Sequence, residues 1–291
     1  MKQFKGLMIK EWNTYKNLFL IPVWITALIY VLMIAGMIYG YYKQGTVHFN
    51  QDAIQTAEQA NIAFYFGSTI ISLIPFVLMI FFTITIITNM MNDDFKNKCA
   101  IFHLAQPISL IKIIGAKLAL LFSAGFLISF AIATFNQIVF SIAFNIYSKA
   151  NVLTGFLALI QSSLISIFPT IFICTFFMMA ATLFIKKPGI IVPILLVTEV
   201  VINIINNLWN TTIPSLVSKL IYLAVGKTTV NVFDNNKLLY QKTTNGDYSV
   251  LTQSIQEMWL NLFDIVNVWR ILLSIVFIII AYFLYKRRDI V

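Results

Sequence analysis

Six stretches of this chain are apolar over roughly the length that a helix needs to cross a bilayer, and no other feature restricts the fold as severely. A hydrocarbon core of about 30 Å takes about 20 residues of helix, because every backbone N–H and C=O inside it must be satisfied within the segment. The runs are Leu18 to Tyr39, Ala63 to Thr88, Leu118 to Phe144, Leu164 to Ile185, Ile190 to Asn207, and Asn267 to Tyr285. They predict an all-α membrane protein, a six-transmembrane-helix bundle. Composition agrees, since 59% of residues are apolar and 11% charged, against about 25% charged in soluble domains. The first run is longer than a signal-peptide core and lacks a small-residue cleavage site, so it is expected to remain as the first span.

The fifth run is the weakest, because it carries Glu199, Asn203, Asn206 and Asn207. Lys186-Lys187-Pro188-Gly189 just before it predicts a compact turn between antiparallel helices, which keeps it as a span. Charge supports an even number of crossings. With the N-terminus inside, the cytoplasmic segments hold Lys2, Lys5, Lys10, Lys16, Lys96, Lys98, Lys112, Lys117, Lys186, Lys187, Lys286, Arg287 and Arg288, whereas the two short outer loops hold only Lys43 and Lys149. Both termini are therefore expected in the cytoplasm. The net charge of +9 reads as membrane orientation, not as a nucleic-acid surface, since the bases lie in short clusters between apolar runs.

Outside the spans (18–207 for the first five, 267–285 for the sixth) the chain divides into four parts. Residues 1–17 space Phe4, Leu7, Met8, Trp12 and Tyr15 helically, with lysines off that face, which predicts an amphipathic helix in the inner interface; the alternative is a disordered basic leader. Residues 89–117 form a long cytoplasmic loop. Residues 208–266 predict a small extracellular cap of a helix near Ile213 to Val225, a short hairpin within Thr228 to Val250, and a second helix from Leu251 to Val266. Residues 286–291 are a basic tail.

Within the loop, Asp93 and Asp94 lead into Phe95, Lys96 and Lys98, then an apolar cluster of Ile101, Phe102 and Leu104, and Pro107 restarts the chain. Such a segment can offer a short helix to a cytoplasmic partner, or be a solvated loop with ordinary positive-inside charge. Glu199 with Asn203, Asn206 and Asn207 at i+4, i+7 and i+8 forms a polar strip along the fifth helix. A charge there is costly unless paired, hydrated or protonated, so the strip belongs either to a translocation path or to a hydrogen-bonded helix seam. Gly36 and Gly40 form a GxxxG step that allows close approach, within the bundle or between copies. Pro75 and Pro169 lie inside spans and remove a backbone bond there.

No motor or catalytic centre is legible. A P-loop needs GxxxxGK[ST], but Ile221 stands where the first glycine of a match ending in Gly226-Lys227-Thr228 would be. His48 and His103 are far apart and on opposite expected faces, so no metal cluster or catalytic dyad assembles from them, and Cys99 and Cys174 fall in a basic loop and an apolar span, which offers neither a CxxC metal site nor an obvious disulfide. This chain is expected to bind no cofactor and to be no enzyme.

The acidic pair, the apolar cluster, the step Gln106-Pro107-Ile108-Ser109 and Lys117 at the start of the third span resemble the intracellular loop of type-2 ATP-binding-cassette permeases, in which an acidic end leads a coupling helix and a Pro-[Ile/Val]-Ser step follows. Lys10-Glu11 before the first span and the basic end after the sixth are similar to the same family. The match departs at Phe95 and Lys96, where many members have Gly-Thr or Gly-Ser. More narrowly, the chain resembles the membrane subunits of phenol-soluble-modulin exporters of Gram-positive bacteria. The resemblance implies a multi-pass protein of the bacterial cell membrane, surrounded by lipid, paired with a second permease copy or paralogue, and driven by a separate cytoplasmic ATPase that carries ATP and Mg. It implies that Asp93, Asp94, Phe95, Lys96, Ile101, Phe102, Leu104 and Pro107 belong to the ATPase-coupling loop, and that the cargo is an amphipathic peptide. The rivals are a membrane-bound immunity or sensor protein that sequesters peptides, an ion-coupled carrier leaning on Glu199, and an intramembrane hydrolase.

Overall fold

The computed structural model describes residues 2–44, 57–96, 109–148, 150–184, 191–209, 215–225 and 249–288. Among them there are eight helices and no strand: α1 (Lys2–Gln44), α2 (Ala57–Lys96), α3 (Leu110–Tyr147), α4 (Val152–Leu183), α5 (Ile191–Trp209), α6 (Leu216–Val225), α7 (Ser249–Leu262) and α8 (Ile265–Arg288). Five helical stretches are long and apolar enough to cross a membrane: Gln3–Gly36, Gln59–Asp93, Leu110–Ile146, Val152–Leu183 and Leu251–Arg287. This is the pattern of a multi-pass membrane protein. The expected fifth span is the helix α5, which is not among the five. Its described part, 19 residues long, reaches about 28 Å at 1.5 Å per residue, within the range of about 17–25 residues of spanning helices.

The helices run past the limits that hydropathy sets. The expected leader joins the first span in one 43-residue helix, and α2 continues through Asp93 to Lys96. Hydropathy falls where charged residues begin, but a helix stops only where its backbone bonding stops. The segment 97–108 between α2 and α3, with Ile101, Phe102, Leu104 and Pro107, lies outside the described residues, as does the expected hairpin up to residue 248.

α4 is the centre of the bundle: it packs most extensively on α2 and α8, and also on α3, α6 and α7. Its buried face carries small residues such as Ala158, Ser162, Ser166, Ala180 and Ala181, which let neighbouring helices approach where no difference in water affinity drives them together. α1 starts at the end of the bundle where α2 and α8 finish; here this is called the leader end. There, one core joins Tyr15 and Phe19 of α1, Ile86 and Met90 of α2, Leu118 and Leu121 of α3, Met178 of α4, and Ala281 and Tyr285 of α8. A smaller cluster sets Leu7 of α1 against Ile113 and Ala116 of α3.

Beyond Tyr30, α1 leaves the bundle. Val31 and Leu32 are each 62% exposed, and a Cβ added at Gly36 would meet nothing within 4 Å. Among the described residues the GxxxG step therefore makes no close approach at Gly36; the Gly40 position is not described at the side-chain level.

Candidate functional site

At the leader end three helices are tied by charge. Leu7, Glu11, Tyr15 and Phe19 recur every four residues and fall on one face of α1, which is buried. Glu11 on that face meets Lys117 of α3. The Lys117 Nζ donates to Glu11 Oε1 at 2.9 Å and to the Met90 carbonyl of α2 at 2.7 Å. Lys117 is 1% exposed and Glu11 6%. One turn along α1, the Tyr15 hydroxyl donates to Asp93 Oδ2 in the last turns of α2 at 2.8 Å. A buried ion pair adds little net stability, but stranding either partner is expensive, so it enforces one arrangement.

This cluster flanks the expected coupling loop. Asp93 thus faces α1. Asp94, Phe95 and Lys96 complete α2, and their side chains lie outside the described set. Sequence reading missed Glu11 and Tyr15 as partners. The signal was the four-residue spacing that puts a carboxylate among apolar positions.

Nearer the opposite end, single polar residues of α2, α3 and α4 meet in the interior. Gln137 of α3 donates to the Ser68 hydroxyl of α2 at 2.9 Å and to Ser141 at 3.2 Å. Tyr65 of α2 donates to Gln161 Oε1 of α4 at 2.6 Å, and Gln161 Nε2 donates to the Ile255 carbonyl of α7 at 3.0 Å. Gly155 of α4 makes this approach possible, because an added Cβ would collide with Gln137 Nε2 and lie 2.6 Å from the Phe64 ring. α7 is held on the bundle by this bond and by Met258 packed on Ile165.

The polar strip of α5 finds its partner in α6. The Ser215 hydroxyl donates to Glu199 Oε2 and accepts from the Ser218 backbone N–H at 2.9 Å, capping α6. Asn206 is half-buried, while the side chains of Asn203 and Asn207 lie outside the described set. Among the described residues α5 packs on α6 and on no other helix to a comparable extent. At its other end α6 is gripped by α8: buried Arg270 donates from Nε to the Leu223 carbonyl at 2.6 Å and from Nη1 to Asn267 Oδ1. A cation at a helix C-terminus also complements the helix dipole.

Glu199 lies about 12 Å along α5 from its start and about 15 Å from its end, by the helical rise. Ser215, expected in a cap beyond the helix, therefore stands beside the middle of α5. Between α2, α4, α5 and α6 lies an apolar cavity of about 390 Å³ lined by five phenylalanines and by Leu195, Val217, Leu220 and Ala224. A second, of about 480 Å³, lies between α2, α3 and α4. Among the described residues no group of three His, Cys, Asp or Glu is placed to hold a metal ion. Comparison of the chain with protein-family models, with curated proteins and with solved structures finds no match.

Proposed function

We propose that this chain is the permease subunit of an ATP-binding-cassette exporter, with six spans including α5 and both termini in the cytoplasm. A separate ATPase docks on the segment between α2 and α3, and amphipathic peptides are the cargo. The observation that carries this reading is the three-helix tie at the leader end. A segment that transmits force must be flanked by helices that move as one body, and Lys117, Glu11, Met90, Tyr15 and Asp93 join α1, α2 and α3 on both sides of the 97–108 segment.

In this reading Asp93, Asp94, Phe95 and Lys96 form the rigid approach to the coupling segment, and Ile101, Phe102, Leu104 and Pro107 form its contact surface. ATP and Mg reside on the partner, and a second permease copy or paralogue completes the pathway. The test is co-purification from the native membrane. A cytoplasmic ATPase should be recovered with the wild-type chain and lost with Phe102→Ala and Leu104→Ala in a stably inserted protein. Undiminished recovery and export in those variants would reject the loop assignment, and the absence of any ATPase from the wild-type preparation would reject the class.

A further inference from the structure

The cavity between α2, α4, α5 and α6 is apolar almost throughout. Phe76, Phe81, Phe172, Phe176 and Phe177 supply aromatic walls, and the one hydroxyl among its lining residues, Ser166, is turned to its own helix, donating to the Ser162 carbonyl. Its volume, about 390 Å³, falls within the range of small-ligand pockets, about 300–1,000 Å³. It accommodates a few large apolar side chains.

An acidic residue stands one helical turn from its lining. Leu195 lines the cavity, and Glu199 stands four residues further on the same face of α5. The Ser215 hydroxyl, two residues before the lining Val217, occupies one carboxylate oxygen. Among the described residues no cation pairs with Glu199. Lys219 of α6 is exposed and bonds to Ser215 through its backbone N–H alone, and Arg270 is committed to Leu223 and Asn267. A carboxylate among membrane helices is costly without a counter-charge or water, and this one is steadied by a neutral hydroxyl beside an apolar hole.

We propose that this cavity is a peptide-recognition pocket, in which the apolar side chains of an amphipathic peptide fill the aromatic walls while an ammonium group of the same peptide, a lysine or the amino terminus, pairs with Glu199. The proposal rests on the exporter reading and names what that exporter selects: cationic amphipathic peptides over neutral or acidic ones. Shape sets the apolar fit and the single carboxylate sets the charge preference.

The test uses the full chain in phosphatidylcholine nanodiscs, without ATP or a second subunit, and a fluorescent leucine–lysine amphipathic peptide beside its leucine–glutamine analogue, each corrected for binding to empty nanodiscs. The wild type should prefer the lysine peptide by on the order of tenfold. Glu199→Gln, which keeps shape and the bond from Ser215, should abolish that preference and leave binding of the glutamine peptide unchanged. Ala224→Phe, which fills the cavity, should weaken both peptides. Since that variant risks misfolding, a benzophenone side chain at Ile221 provides a second readout: it should crosslink the lysine peptide and be blocked by excess unlabelled peptide.

A preference that survives Glu199→Gln, or the absence of crosslinking at Ile221, overturns the proposal. These results are separable from those on the motor. Peptide binding with no ATPase partner would leave the pocket standing and remove the exporter, while a co-purifying ATPase with no charge-selective binding would do the reverse.

Discussion

The Lys117–Glu11 pair makes a sharp prediction about energy. Lys117→Met removes an ammonium that holds two oxygens, at 2.9 and 2.7 Å, and leaves the Glu11 carboxylate, 6% exposed, without its counter-charge. Stranding a buried charge costs about 3–5 kcal/mol. Glu11→Leu should cost a similar amount, since the buried ammonium loses its carboxylate counter-ion. The double variant removes both charges of the pair but takes a donor from the Met90 carbonyl, and because replacing a buried pair by apolar residues of similar volume is commonly neutral or stabilising, Glu11→Leu with Lys117→Met should lose clearly less than the sum of the two single losses. The cycle thus predicts a coupling energy of several kcal/mol between residues 106 positions apart in sequence. Unfolding free energies from steric trapping in bicelles measure all four corners. Single variants that each lose less than about 1 kcal/mol, or a double variant that loses their sum, would refute a desolvated pair.

Three further outcomes follow from the interior. Gly155→Ala drives a methyl into Gln137 and the Phe64 ring and should destabilise the bundle by about 1–3 kcal/mol; Gly36→Ala, with nothing near it, should stay within about 0.5 kcal/mol in the same unfolding assay. Tyr65→Phe leaves Gln161 Oε1 without its donor, a loss of about 1–3 kcal/mol, and the loosened Gln161 should raise amide exchange in α7. Arg270→Met removes the cation beside Asp264 and frees the end of α6, costing about 1.5–3 kcal/mol. Hydrogen exchange should quicken in α6 and stay unchanged in α2, and uniform quickening would show a general packing defect instead.

The strong apolar runs announced their helices because about 20 uninterrupted apolar residues have few alternatives to a buried helix. What joins those helices was far less legible. Glu11 and Lys117 each read, one at a time, as ordinary charges at a membrane boundary, and only the fold reveals that they are counter-ions. Tyr65, Ser68, Gln137 and Gln161 are single polar residues on three helices, each unremarkable in its own run. Gly155, which allows them to meet, lies in a stretch with no motif. Asp93 was singled out for a partner protein, and in this structure it receives a hydrogen bond from Tyr15 of its own chain. Hydropathy reports a residue's preference for lipid or water, whereas these contacts depend on which residue of another helix stands opposite.

Glu199 shows how the two kinds of information combine. It weakens α5 on hydropathy, and α5 is also the long helix least attached to the bundle, packed chiefly on α6. The two facts share a cause. A polar strip packs poorly on the apolar faces of α2 and α4, so the chain returns after α5 and sets Ser215 against Glu199, while Leu195 of α5 and Val217, Leu220 and Ala224 of α6 face α2 and α4 across an apolar cavity. α6 in turn is fixed at its far end by Arg270 of α8. Among the described residues α5 packs chiefly on a ten-residue helix that carries a polar contact at each end. Motion of α5 relative to α6 breaks the Glu199–Ser215 contact, and motion of α6 with α5 strains the Arg270–Leu223 contact. In the proposed reading a cation that engages Glu199 acts on the first of these, and occupancy of the cavity is then linked to the position of α5.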